Sequence, residues 1–103
     1  MTKKAYKDSE GKTVILSTRL DECLYSGHWV AGQENNRFNE LYVHIRKDGT
    51  LVFYEVYVTF WQGELNTITV IADVRAWLLD HYGELAQSEI SRFEELGVSL
   101  TED

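Results

Sequence analysis

Four side chains in this sequence belong to the types that ligate zinc: Cys23, His28, His44 and His81. Zinc sites usually pair their ligands as C-x2-C or H-x3-H, because that spacing lets one turn or helix present two donors together. None of the four has such a neighbour. Cys23 beside a histidine is also the raw material of a thiolate nucleophile, but no third, orienting group is recognisable by spacing. A lone cysteine between apolar neighbours is more often packing material. The carboxylate pairs Asp21-Glu22 and Glu94-Glu95 offer acid–base chemistry only if both members face one substrate. Adjacent helical residues diverge, so Glu94-Glu95 reads as a solvated face. The glycines of "EGK", "SGH", "AGQ" and "QGE" stand alone, so no phosphate cradle is present. The expectation is no catalytic residue, no metal and no cofactor.

The other candidates lie in "LYVHIRKDGTLVFYEVYVTFW", residues 41 to 61. Asp48-Gly49 between alternating strands predicts a two-residue type I′ hairpin. Lys47 then opposes Thr50, Ile45 faces Val52, Val43 faces Tyr54 and Leu41 faces Val56. With Val58 and Phe60 these make an apolar face to be buried under helices. The opposite face collects Tyr42, His44, Arg46, Phe53, Tyr57 and Trp61, with Leu51 and Glu55 among them. Such side chains fill interface hot spots or stack bases. That face is either covered by residues 20 to 40 or left open as a contact surface.

The flanking elements follow from pattern. Residues 3 to 8 form a short strand, "SEGK" a turn, and "TVILSTRL" (13 to 20) a stronger, β-branched strand. Leu20, Cys23 and Leu24 have helical spacing, "HWVA" could be a brief strand, and "GQENN" is a loop by composition. Gln62-Gly63 is a weaker turn signal into "ELNTITVI", which would set Ile68 opposite Tyr57 and Val70 opposite Glu55. Val74, Trp77 and Leu78, with His81 or Tyr82, recur at helical spacing behind Asp73 as N-cap, with Gly83 as a stop. Leu85, Ile90, Phe93 and Leu96 line a second helix. Gly97 there supplies a left-handed end, and Val98 packs back on Phe93. The class is α+β: an antiparallel sheet of three to five strands, with residues 13 to 20 as a possible member. Two C-terminal helices pack on one face of it. Residues 1–12 and 98–103 are expected to fray around a single domain.

Charge narrows the function. The net charge is −7, split as eight basic against six acidic residues up to position 47 and two against eleven beyond it. An acidic body repels phosphate backbones, so direct nucleic-acid binding is not expected. No apolar run approaches a bilayer span, and the basic start "MTKKAYKDSEGK" has no apolar segment behind it, which argues against membrane and secretion. One cysteine excludes an intramolecular disulfide framework. A reducing, cytoplasmic setting follows by elimination.

From Leu41 to Gly83 the chain resembles small uncharacterised proteins of bacteria, plasmids and phages. In these a β-meander leads into an A-x-W-L-x-x-H-like helix. The resemblance is carried by the hairpin and by "ITVIADVRAWLLDHYGE", with Ala76, Trp77, Leu78 and His81 on the helix. It implies an accessory protein rather than a metabolic enzyme, and it transfers no site. The leading expectation is a non-enzymatic interaction or regulatory module. It would use the aromatic face for a homodimer or a protein partner, with Tyr42, Phe53, Tyr57 and Trp61 as anchors. Two alternatives stand beside it: an acidic nucleic-acid mimic docking through Glu84, Glu89, Glu94 and Glu95, and a small metal-dependent or cysteine hydrolase built on Cys23 and two histidines.

Overall fold

The computed structural model of the chain describes residues 3–27, 37–59 and 67–100. Strands β1 (Lys3–Lys7) and β2 (Thr13–Ser17) pair as an antiparallel hairpin. Strands β3 (Glu22–Ser26), β4 (Arg37–Ile45), β5 (Leu51–Thr59) and β6 (Thr67–Ile71) form a second antiparallel sheet in that order. Helix α1 (Val74–His81), a 3-10 turn (Tyr82–Glu84) and helix α2 (Gln87–Glu95) complete the α+β fold. No helix among the described residues is long and apolar enough to cross a membrane.

The β4–β5 hairpin forms where Asp48-Gly49 predicts it, but with a longer loop. Arg46 N donates to Thr50 O at 2.8 Å and Gly49 N to Arg46 O at 2.9 Å, leaving residues 47–49 as the loop. Gly49, at φ 88°, takes the left-handed position of a three-residue turn. Asp48 Oδ1 accepts the Thr50 N–H at 2.9 Å, which stiffens the tip. One extra loop residue shifts every pair by one: Ile45 opposes Leu51, His44 opposes Val52 and Val43 opposes Phe53. The expected Ile45–Val52 register is therefore corrected. The β5–β6 pairing moves likewise, with Ile68 opposite Val56 rather than Tyr57.

That shift redistributes the faces. Leu41, Val43 and Phe53 point to the helices, where they pack with Tyr25, Trp77, Leu78 and Phe93. Tyr42, Tyr54, Val56, Val58 and Ile68 point the other way, onto Val14 and Leu16 of β2. Both faces of the sheet are thus buried. Residues 13–17 do not extend the meander as a further strand; they cover its second face.

The fourth strand of the sheet is β3, where helical spacing had been read. Its pairing shifts between Cys23 and Tyr25, so Leu24 is an extra, bulged residue. Consecutive Leu24 and Tyr25 then both enter the helix-side core, which breaks the alternation that marks a strand. Bidentate contacts of Arg92 with Glu22, both at 2.7 Å, tie α2 to this strand.

Asp73 caps α1 as expected, its carboxylate accepting from Ala76 N at 3.1 Å. Gly83 is not the stop: it sits inside the 3-10 turn, and the left-handed glycines among the described residues are Gly11, Gly49 and Gly97. Helix α2 closes as a Schellman motif, with Gly97 N on Glu94 O at 3.0 Å and Val98 N on Phe93 O at 2.9 Å. Of the termini expected to fray, residues 1–2 and 101–103 lie outside the described residues. Lys3–Lys7 is paired strand, and Val98 is buried.

Two glycines give opposite tests of this backbone, since an added Cβ meets nothing within 4 Å at either. Gly49→Ala should lower stability by about 1–2 kcal/mol through left-handed strain alone. Gly83→Ala, with no such strain, should be neutral or stabilise by about 0.4–1 kcal/mol in the same denaturation series.

Candidate functional site

The six residues expected on one aromatic face are divided by the register. Tyr42, His44 and Arg46 lie on the β2 side, while Phe53 and Tyr57 alternate onto the helix side. Tyr42 and Phe53 are core residues: Tyr42 stacks on Tyr54 with ring centroids 5.4 Å apart, and Phe53 on Phe93 at 6.5 Å. Tyr57 is 40% exposed. Trp61 lies outside the described residues, as do Phe60, His28, the "HWVA" and "GQENN" stretches and the Gln62-Gly63 turn.

What the β2 side does gather is a polar cluster around Asp21. The chain reverses after β2, with Leu20 N and Asp21 N both donating to Ser17 O. The Asp21 carboxylate folds back over its own turn. Its Oδ2 accepts from Ser17 N at 3.0 Å and from the Tyr54 hydroxyl at 2.7 Å, and its Oδ1 lies 2.9 Å from His44 Nδ1. The Asp21 side chain is only 7% exposed. A buried carboxylate is tolerated when it is hydrogen-bonded, and here three polar groups contact its two oxygens. Asp21 and Glu22, adjacent in sequence, thus serve opposite sides of the sheet and are not a catalytic pair.

A second connection ties the hairpin tips. The β1–β2 turn repeats the β4–β5 geometry: Asp8 N on Lys12 O and Gly11 N on Asp8 O, both 3.0 Å, with Gly11 at φ 81°. The closing residues of the two turns, Asp8 and Arg46, form an ion pair at 2.8 Å. The Lys12 backbone N–H, and after it the Arg46 guanidinium, hold the Asp8 carboxyl below the usual carboxylate range. Between the tips lies a cleft of about 640 Å³. His44 lines it, and Lys12, Lys47, Ile15 and Ile45 flank it. Ile15 and Ile45 are 59% and 57% exposed. Among the described residues neither Lys12 nor Lys47 forms an ion pair.

The chemistry sketched for the other candidates does not assemble. Burial, and then the charge of Glu40, push the Cys23 thiol up, away from a thiolate. His81 is committed to its own helix, with Nδ1 2.9 Å from Trp77 O and its ring stacked on Trp77 at 4.1 Å. Among the described residues no group of three histidine, cysteine or acidic side chains is placed to hold a metal ion. Sequence reasoning did not bring Asp21, Tyr54, Ser17 and Lys12 together around His44. Only the register and the β2 placement bring them together, and neither is written in local spacing.

Asp21→Asn keeps the shape but turns one acceptor into a donor, so it should cost about 1.5–3 kcal/mol in chemical unfolding. Tyr25, Tyr42 and Tyr54 share a second test. Burial, first, raises all three phenols above the ordinary value of 10.0, and contacts with Glu84, Glu40 and Asp21 add to it. Below pH 10 both folded and unfolded chains keep these protons, and the stabilisation is complete. Above it the unfolded chain releases them first, so stability should fall as pH climbs. The phenolate absorbance that belongs to these three tyrosines should rise together with loss of the fold rather than before it. No family model, no curated protein and no solved structure matches this chain, so its function rests on this geometry.

Proposed function

We propose that the chain is a non-enzymatic interaction module that holds an acidic, aliphatic-bearing segment of a protein partner in the cleft between its hairpin tips. The observation that carries this reading is the meeting of two exposed isoleucines with two lysines, neither in an ion pair among the described residues, around one concave surface. Interfaces of this kind combine apolar anchors with a charged rim that sets orientation. Much of the remaining surface repels acids: residues 73–95 carry six acidic side chains against two arginines. An acidic segment is therefore steered toward the tips and away from the helices. A cytoplasmic setting suits the free Cys23.

Other surfaces fit less well. An aromatic-face homodimer would need Tyr42 and Phe53, which the fold spends internally. An acidic mimic would need its glutamates free. Instead Glu84 accepts from the Tyr25 hydroxyl, Glu89 from Ala86 N, and Glu95 from Arg92.

A peptide of alternating glutamate and leucine serves as the probe. Its addition should shift the amide resonances of Lys12, Ile15, Ile45 and Lys47. The double variant Lys12→Glu/Lys47→Glu should weaken binding roughly tenfold or more, and added salt should do the same. Shifts confined to α1 and α2 would overturn the reading. So would a dimer in sedimentation that Ile15→Asp dissolves, because the occupant would then be a second copy.

A further inference from the structure

We infer that the cleft takes up one proton, at His44, when a carboxylate docks in it, so that the module grips its acidic partner more tightly in mildly acidic than in alkaline solution. The inference rests on the preceding reading of the cleft and adds its regulation.

The geometry of Asp21 carries it. A carboxylate oxygen accepts and does not donate. With Oδ2 taken by Ser17 N–H and the Tyr54 hydroxyl, Oδ1 receives the imidazole, so Nδ1 bears a hydrogen. In the neutral ring Nε2 is then a bare lone pair. A partner carboxylate arriving there meets lone pair against lone pair, and the contact is repulsive. Once Nε2 is protonated, the same contact becomes a charge-assisted hydrogen bond. The ligand therefore selects the imidazolium, and by linkage the imidazolium selects the ligand.

Charged groups of both signs surround His44. Lys12 and Lys47, from the two turns, and Arg46, two residues along the same face, oppose a positive ring. Asp21 from the β2–β3 turn, Asp8 behind Arg46 and Asp48 at the hairpin tip favour it. Tyr42 on the same face and Tyr54 beneath Asp21 keep their phenolic protons and stay neutral. Cys23, opposite Tyr42, has its thiol pushed up and is also uncharged. What arrives at Nε2 thus decides the second proton. Histidine is the side chain suited to do so between about pH 5 and 8.

Calorimetry with the same glutamate–leucine peptide tests this in the intact chain, at about pH 5.5 and about pH 8 and in buffers of different ionisation enthalpy. Affinity should be about tenfold higher at the lower pH, with net proton uptake on binding. The His44 ring resonances should titrate at higher pH in the complex than in the free protein. His44→Gln should bind with no pH dependence, and His81→Gln should retain it. Equal affinity at both pH values, or binding without proton uptake by the wild-type chain, overturns the coupling and leaves the cleft standing. Absence of binding at either pH removes both. Because proton uptake is read on the wild-type protein, a poorly folded His44→Gln does not blunt the test.

Discussion

The constraint behind this structure is that one antiparallel sheet is covered on both faces by different layers. Helices sit on Leu41, Val43 and Phe53, and the β1–β2 hairpin sits on Tyr42, Tyr54 and Val56. A fully buried valine, leucine or phenylalanine is worth about 1.5–3 kcal/mol, so each layer is held strongly. Register is ordinarily enforced because a one-residue slip exposes the apolar set. Here a slip would only exchange the layers. Another device has to break that degeneracy, and polar anchors supply it. On one side Asp21 demands a histidine and a tyrosine at positions 44 and 54; on the other, Glu55 accepts the Trp77 indole N–H at 3.0 Å. Slipping β5 against β4 would strand these groups in apolar surroundings, where an unpaired buried polar group costs about 1–3 kcal/mol.

The same circumstance explains what could be read in the sequence. Elements whose signals are local were legible. Asp73 caps α1, Gly97 with Val98 ends α2, and the β-branched residues 13–17 form a strand. The hairpin at Asp48-Gly49 was legible too, but its loop length was not, since both turn types favour that dipeptide. With apolar residues in both alternating sets, hydrophobicity could not arbitrate. Strand β3 hid behind its bulge, because two consecutive core residues imitate a helical face. The cleft depends on β2 crossing to the second face and on Asp8 meeting Arg46. These long-range facts leave no mark on spacing.

The two-layer arrangement also separates charge. Arg92 is drawn onto Glu22 and Glu95, so the helical side spends a cation neutralising its own acids and stays negative outward. At the opposite end Arg46 is consumed by Asp8, while Lys12 and Lys47 remain unpaired among the described residues. The sheet works as a spacer between an acidic helical layer and two lysine-bearing tips.

An imidazole oriented by a buried carboxylate is also the opening of a catalytic triad, so what surrounds it decides between chemistry and recognition. A base earns its role by sharing a hydrogen bond with the nucleophile it activates, or by standing where one can approach. Thr13 lines the cleft with His44, yet no hydrogen bond joins the two among the described contacts, and Cys23 is held as a neutral thiol. The turn amides suited to stabilising an oxyanion are already engaged: Gly11 N with Asp8 O, and Gly49 N with Arg46 O. What the cleft offers instead is the His44 ring, two lysines without an ion pair among the described residues, and two exposed isoleucines. That set suits the carboxylate and the aliphatic side chain proposed to dock there.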